Sequence, residues 1–130
     1  SVDGIGPASG AFASTDLRYE ILRDMWDRGV KFVTGMDSGM TNANFDDFAY
    51  IPEVMVEDMG ITPMEAIISA TQVSADCLGL LDEIGTLEEG KAADVLIING
   101  NPAVDIKALH DVNTIVKQGQ IVKQENELLI

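Results

Sequence analysis

Apolar residues in the first third of the chain recur at helical spacing. They predict a helix that begins near Asp16, which can cap a helix start, and ends at Gly29, where a left-handed residue would stop it. The apolar positions of this helix are Leu17, Ile21, Leu22, Met25 and Trp26. The short, partly β-branched run from Val30 to Thr34 then predicts a buried strand.

Two further helices are predicted before the pattern changes. The first covers residues 46–59, in which Pro52 marks either a kink or the true first turn. The second begins at Thr62-Pro63-Met64-Glu65, a capping box with proline at the first helical position, and runs to about Leu78. We expect Cys77 to be a small buried residue on a face that lets another element approach closely. That face comprises Ala66, Ile67, Ala70, Val73, Ser74 and Cys77.

After Gly79 the pattern becomes β-rich. The run from Asp94 to Ile98 predicts a strand. Residues 112–117 and 120–123 predict a hairpin across Gln118-Gly119. The predicted order is therefore helix, strand, two helices and a run of small strands, which is an α/β chain.

Composition and charge exclude several classes of protein. The 130 residues are 46% hydrophobic and 23% charged, as in a soluble globular domain. The net charge of −14 argues against nucleic acid and anionic membranes as partners, because both attract Lys and Arg. The single cysteine, Cys77, fits a reducing compartment, so we expect a cytoplasmic protein. The opening "SVDGIGPASGAFAS" lacks Met and is typical of a protein's interior, which indicates a longer parent chain.

Asp37 is the main candidate for chemistry. It follows the predicted strand in Gly35-Met36-Asp37-Ser38-Gly39, where two glycines permit tight turns and close approach of a ligand. Active sites of α/β barrels and open α/β sheets form at this end of the strands, but Asp is also a common turn residue there.

Two functional classes compete with that structural role. In a metal-assisted hydrolase, Asp37 would bind a divalent ion or act as general base for a metal-bound water. In a regulatory or interaction module similar to a receiver domain, Asp37 would accept a phosphoryl group. The second class needs further acidic residues and a strand-end Lys, which the sequence does not supply in a doubly wound pattern.

Residues 61–106 closely resemble the C-terminal signature of the amidohydrolase superfamily. A helix opening with Thr-Pro-x-Glu-Ala ends in Leu-Gly, and Ile-Gly-x-Leu-x-x-Gly-Lys-x-Ala-Asp precedes a hydrophobic strand and Asn-Pro. The matching residues are Thr62, Pro63, Glu65, Ala66, Thr71, Ala75, Leu78, Gly79, Ile84, Gly85, Leu87, Gly90, Lys91, Ala93, Asp94, Asn101 and Pro102. Residues 35–39 resemble the family's Gly-(Ser/Thr)-Asp-(Ser/Ala)-Gly at the end of the eighth barrel strand, with Met36 as a departure. Among subgroups, the chain looks most like imidazolonepropionase-like and Xaa-Pro dipeptidase-like members.

The resemblance implies a (β/α)₈ barrel joined to a small β-sandwich. Residues 1–80 would be the C-terminal part of the barrel, with its last strand and flanking helices, and residues 81–130 the C-terminal strands of the sandwich. The implied reaction is hydrolysis of a C–N bond in a small amide, cyclic amide or dipeptide, with water activated by a divalent metal, expected to be zinc. Asp37 would contact the metal and act as general base.

The other metal ligands of that family cannot be in this chain. They are a His-x-His pair, a Lys or Glu, and two further histidines, whereas the only histidine here is His110, in the β-rich tail. Because a catalytic zinc has about three protein ligands, we expect the chain alone to bind no metal tightly and to be inactive. We also expect self-association, because a piece of a barrel exposes strand edges and apolar helix faces.

Overall fold

The computed structural model describes residues 15–38, 47–125 and 127–129, which form helices followed by one antiparallel sheet. The helices are α1 (Thr15–Asp27), α2 (Tyr50–Glu57), α3 (Pro63–Ile68) and α4 (Ser74–Cys77), with a π-helical segment (Ser69–Val73) joining the last two. Short 3₁₀ helices span Asp47–Ala49 and Ile106–His110. The strands are β1 (Val95–Ile98), β2 (Val112–Lys117), β3 (Gln120–Gln124) and β4 (Glu127–Leu128). None of the described helices is long and apolar enough to cross a bilayer.

The capping box predicted at the start of α3 is confirmed. The Glu65 N–H donates to the Thr62 hydroxyl oxygen at 3.4 Å, and the Thr62 N–H donates to the Glu65 carboxylate at 3.1 Å. Pro52 lies in the first turn of α2, so it marks a helix start rather than a kink. Local chemistry sets both helix starts, which is why the sequence pattern located them.

The sheet has the strand order β1-β2-β3-β4, and every neighbouring pair is antiparallel. Ile97 on β1 faces Thr114 on β2. Strands β2 and β3 form the predicted hairpin, whose turn residues Gln118 and Gly119 have φ of +49° and +79°, as a type I′ turn requires. The short strand β4 was not predicted; it pairs antiparallel with β3 and so adds a fourth strand to the sheet.

The hydrophobic core connects the helices to the C-terminal region. Its buried members are Met55, Met59, Ile61, Ala66 and Ile106. Ile106 lies in a 3₁₀ helix beyond residue 81 and is only 2% exposed, so its burial stabilises contact between the helical and β-rich parts of the chain. Partly buried residues that pack against this core are Tyr19, Leu22, Trp26, Phe32, Val56, Ile67 and Leu109.

The strand predicted at Val30–Thr34 forms no ladder with any described residue. A strand is defined by hydrogen bonds to a neighbouring strand, and the four described strands pair only with one another. Phe32 nevertheless packs on the core, with its ring centroid 5.8 Å from that of Trp26. Side-chain packing and helix contacts therefore fix this segment in the absence of a described neighbouring strand.

The sequence pattern did not predict the π-helical segment, and Cys77 shows the consequence. A π-turn inserts one residue into an α-helix and rotates every later position. Ala75 therefore faces the interior at 3% exposure, while the Cys77 thiol is exposed. The prediction of a buried Cys77 is wrong because it assumed 3.6 residues per turn through the insertion.

Candidate active site

Asp37 is exposed and lies at the end of the segment 30–37, in the left-handed region of backbone conformations. Its φ is +50°, which is uncommon for a residue other than glycine, although Asp tolerates it better than most. Gln118 and Glu125, which lie in turns of the sheet, have nearly the same φ, so this conformation marks a turn and does not by itself assign a role to Asp37. Ser38 follows in a turn, and Gly39 lies outside the described residues.

Two serine hydroxyls of the neighbouring helix bond the backbone of segment 30–37. The buried Ser69 hydroxyl donates to the carbonyl oxygen of Phe32. The Ser74 hydroxyl accepts a hydrogen bond from the Thr34 N–H at 3.2 Å. These bonds end three residues before Asp37, so they restrain the backbone that presents its carboxylate.

Sequence reasoning did not identify Ser69 or Ser74 as functional candidates. Ser69 bonds a residue 37 positions away and Ser74 a residue 40 positions away. Contacts over such separations cannot be predicted from a local sequence pattern. Their five-residue spacing would point them in different directions in a regular α-helix. Only the structure shows that both contact the same segment.

Thr34 has a buried hydroxyl oxygen with no hydrogen-bond partner among the described residues. A buried, unsatisfied polar group destabilises a fold by about 1–3 kcal/mol. We therefore expect Thr34→Val, which keeps the shape and removes the hydroxyl, to raise the free energy of unfolding by about 1 kcal/mol. Urea unfolding at one fixed protein concentration measures this change.

Thr114→Val is the matched control for that substitution. Thr114 is 6% exposed, and its hydroxyl donates to the Asn113 side-chain oxygen at 2.8 Å. Removing this satisfied hydroxyl should lower the free energy of unfolding by about 1 kcal/mol. A loss of similar size for Thr34→Val would contradict the prediction and indicate that the Thr34 hydroxyl has a partner.

The described residues alone do not form a metal site. Within the described ranges, no three His, Cys, Asp or Glu side chains are grouped so that they could share an ion. Asp37 offers a carboxylate, whose oxygen chemistry suits a divalent cation, but a catalytic site has about three protein ligands. Asp37 therefore fits as one ligand of such a site, and the described residues do not supply the others.

His110 makes a structural contact. Its Nε2 lies 2.6 Å from the Glu53 carboxylate, and its ring meets the Tyr50 ring edge-on with centroids 4.6 Å apart. Both partners belong to α2, so His110 joins its 3₁₀ helix to the helical part of the chain.

An apolar groove of about 300 Å³ lies between the segment 30–37 and α2. Its lining residues are Leu22, Phe32, Val33, Tyr50, Ile51, Val54, Met55 and Met59. Asp37 is not among them, and the lining contains no carboxylate. This groove is therefore not a candidate for the catalytic pocket.

Two carboxylates with lowered pKa values, Glu65 and Asp94, have structural roles. The pKa of Glu65 is lowered chiefly by the Thr62 hydroxyl, with further contributions from the Thr62 N–H and from Arg23. The pKa of Asp94 is lowered chiefly by the Gln118 N–H, which donates at 2.7 Å, and then by Lys117. Glu65 closes the capping box, and Asp94 holds the hairpin turn.

Comparison with known proteins identifies the family. The family model described as "Amidohydrolase family" matches residues 8–122, which is most of the chain. The chain belongs to the amidohydrolase family. This confirms the resemblance read from residues 61–106, and it favours the hydrolase interpretation over the receiver-like one. The family's members are hydrolases that act on C–N bonds.

Particular amidohydrolases show how much of the family this chain represents. It is 32% identical over 109 residues to an imidazolonepropionase from Brevibacillus brevis, covering 82% of this chain and 26% of the relative. It is 30% identical over 126 residues to a 5-methylthioadenosine/S-adenosylhomocysteine deaminase from Moorella thermoacetica, covering 82% and 29%. The structure of a candidate prolidase from Bifidobacterium longum matches with a TM-score of 0.78 and 28% identity, covering 95% of this chain and 33% of that one.

The chain thus spans about a quarter to a third of the length of these amidohydrolases. The predicted likeness to imidazolonepropionase-like and prolidase-like members is confirmed. The α/β class is confirmed as well, with helices and an antiparallel sheet that match a solved amidohydrolase.

Proposed function

We propose that this chain is the C-terminal part of a metal-dependent enzyme that hydrolyses a C–N bond in a small amide, cyclic amide or dipeptide. Residues 1–80 would complete a (β/α)₈ barrel, and residues 81–130 would contribute the last strands of a small β-sandwich. The family match over residues 8–122 supports this assignment, as does the partial coverage of every relative described above.

The substrate class follows from the names of the relatives. Imidazolonepropionase and prolidase indicate a cyclic amide and a proline-containing dipeptide, and both contain an amide C–N bond. The deaminase indicates that the same framework can serve a C–N bond to an amino group. Amide substrates are the better proposal for this chain because the imidazolonepropionase among its relatives and the prolidase and Xaa-Pro dipeptidase among the solved structures all point to an amide bond.

Asp37 carries the proposal. It lies in Gly35-Met36-Asp37-Ser38-Gly39, which resembles the family's strand-end motif, and its side chain is exposed, so that a ligand can reach it. When bound, a divalent metal, which we propose is zinc, makes a coordinated water acidic near neutral pH. The Asp37 carboxylate would contact the ion, accept a proton from the attacking water and pass it to the leaving nitrogen. The other metal ligands would come from the remainder of the enzyme.

The reading frame upstream of Ser1 provides the first test. We expect it to encode a His-x-His pair directly after an apolar strand, in the missing two thirds or more of the family length. The complete protein, expressed from that frame, should retain a divalent metal after dialysis. It should also hydrolyse members of a panel of Xaa-Pro dipeptides, N-acyl amino acids and cyclic amides.

Two results would contradict the proposal. The first is an upstream frame without any His-x-His pair. The second is a complete, folded protein that holds its metal and leaves every C–N substrate of the panel intact. The 130-residue chain on its own is the matched control, and we expect it to take up no tightly bound metal and to be inactive.

A further inference from the structure

Two serines connect the helix to the segment that ends at Asp37. Ser69 is 1% exposed, and its hydroxyl donates to the Phe32 carbonyl oxygen at 2.5 Å. The Ser74 hydroxyl donates to the Ser69 carbonyl oxygen at 2.7 Å and accepts from the Thr34 N–H at 3.2 Å. In an extended chain, residues two apart direct their backbone groups to the same edge, so the two hydroxyls serve one edge of the segment.

The π-helical segment Ser69–Val73 brings both hydroxyls to that edge. Ser69 and Ser74 are five residues apart, a spacing that separates side chains by about 140° around an α-helix. A π-turn closes on the fifth residue instead of the fourth, so residues with this spacing lie nearly one above the other. Single π-turns occur frequently at functional sites, and here the turn has an identifiable geometric effect.

An ion pair is the third link between the helix and the segment, but it is the weaker kind. Lys31 Nζ lies 3.0 Å from the Asp76 carboxylate, and the two side chains are 74% and 51% exposed. Exposed pairs of this type contribute little because water screens them. The positional restraint on the segment therefore comes mainly from Ser69, which is buried, and Ser74, which is half-buried.

We propose that Ser69 and Ser74 are positioning residues that hold Asp37 in its catalytic place, an inference that rests on the proposed function above. Asp37 lies three residues beyond Thr34, so movement of the Thr34 amide is passed on to the carboxylate through a short stretch of backbone. A misplacement of about 1 Å at a reacting group can lower the rate about 10²-fold. Both hydroxyls donate to backbone carbonyl oxygens and not to a general base, so the geometry supports positioning rather than nucleophilic catalysis.

Ser74→Ala in the complete enzyme is the direct test. We expect kcat to fall about 10- to 100-fold while KM and the bound metal stay unchanged. Hydrogen exchange at the Thr34 amide should become at least about 10-fold faster, because its acceptor is gone. Ser74→Thr, which keeps a hydroxyl at the half-buried position, should restore both values.

Thr71→Val is the matched control from the same π-helical segment. The Thr71 hydroxyl donates to the Ile67 carbonyl oxygen at 2.7 Å, within its own helix, and is exposed. This variant removes a hydroxyl from the helix without touching segment 30–37, so kcat and Thr34 exchange should stay at the wild-type values. A loss of kcat that is equal in Thr71→Val and Ser74→Ala would show a general effect on the helix and overturn the proposal.

The outcomes separate this inference from the proposed function. Wild-type kcat in Ser74→Ala, despite faster exchange at Thr34, overturns the positioning role alone, provided that Asp37→Asn is inactive. Full activity in Asp37→Asn overturns the role proposed for Asp37, and this inference with it, whereas a complete enzyme that leaves every C–N substrate intact overturns the proposed function itself. A kcat loss in Ser74→Ala that Ser74→Thr restores, at unchanged metal content, supports both.

Discussion

Asp37→Asn should lower kcat of the complete enzyme by about 10²–10⁴-fold, the range for loss of a general base. Asparagine has nearly the same shape as aspartate, but its amide neither accepts the proton of the attacking water nor carries the negative charge that a cation favours. Steady-state hydrolysis with the best substrate of the panel measures the loss. Metal content is determined on the same sample, so that a loss of metal is separated from a loss of the base.

Asp82→Asn is the control for the change in charge. Asp82 is exposed in the turn after α4 and lies outside the candidate site, so this variant should keep the wild-type kcat. Asp37→Glu moves the carboxylate by one methylene and should give an intermediate rate, because position matters as well as charge. An Asp37→Asn enzyme with more than about a tenth of the wild-type kcat would contradict the role of general base.

The elements that the sequence predicted correctly are those determined by neighbouring residues. The Thr62–Glu65 capping box needs only three residues of separation, and the turn at Gln118-Gly119 needs only two residues that tolerate positive φ. Each of these signals is complete within a few positions of the chain. Tertiary contacts did not have to be known for the helix start or the hairpin to be located.

The elements that the sequence missed depend on distant contacts. The π-turn at Ser69–Val73 has no local signature, and it is accompanied by hydrogen bonds from Ser69 and Ser74 to a segment about 40 residues away. The exposure of Cys77 follows from the same turn. The run Val30–Thr34 has strand composition, but a ladder also requires a neighbouring strand, which the described residues do not supply.

The candidate site divides in the same way. The sequence alone made Asp37 a candidate, because an aspartate between small residues after an apolar run can be recognised in one short stretch. Its left-handed backbone and the serine contacts that lead to it come only from the structure. The rest of the proposed metal site cannot be read from either, because its ligands would lie elsewhere in the enzyme.

Gly85→Ala should lower the free energy of unfolding by about 3–5 kcal/mol, the largest stability effect that we expect from one methyl group in this chain. Gly85 has φ of +93°, where a β-carbon is strained. That β-carbon would also lie 2.5 Å from the Ala75 β-carbon and 3.1 Å from the Thr71 carbonyl oxygen. Because Ala75 is buried, at 3% exposure, neither Ala75 nor the turn at Gly85 can move away freely to relieve this overlap. Urea unfolding at one protein concentration measures the change.

Gly90→Ala isolates the backbone contribution to this loss. Gly90 has nearly the same φ, +91°, but among the described residues no atom other than those of its chain neighbours lies within 4 Å of the β-carbon that alanine would add. It should therefore lose only about 1–2 kcal/mol, and the remaining loss at Gly85 is attributed to the overlap with Ala75 and Thr71. Combining Ala75→Gly with Gly85→Ala removes the shorter contact. The loss of unfolding free energy in the double variant should therefore be smaller than the sum of the losses in the two single variants. Equal losses at Gly85 and Gly90, or strict additivity in the double variant, would show that the turn does not press against the π-helical segment.

The same contact supports the helix that carries Ser74, so a destabilised Gly85→Ala enzyme should also show faster exchange at the Thr34 amide.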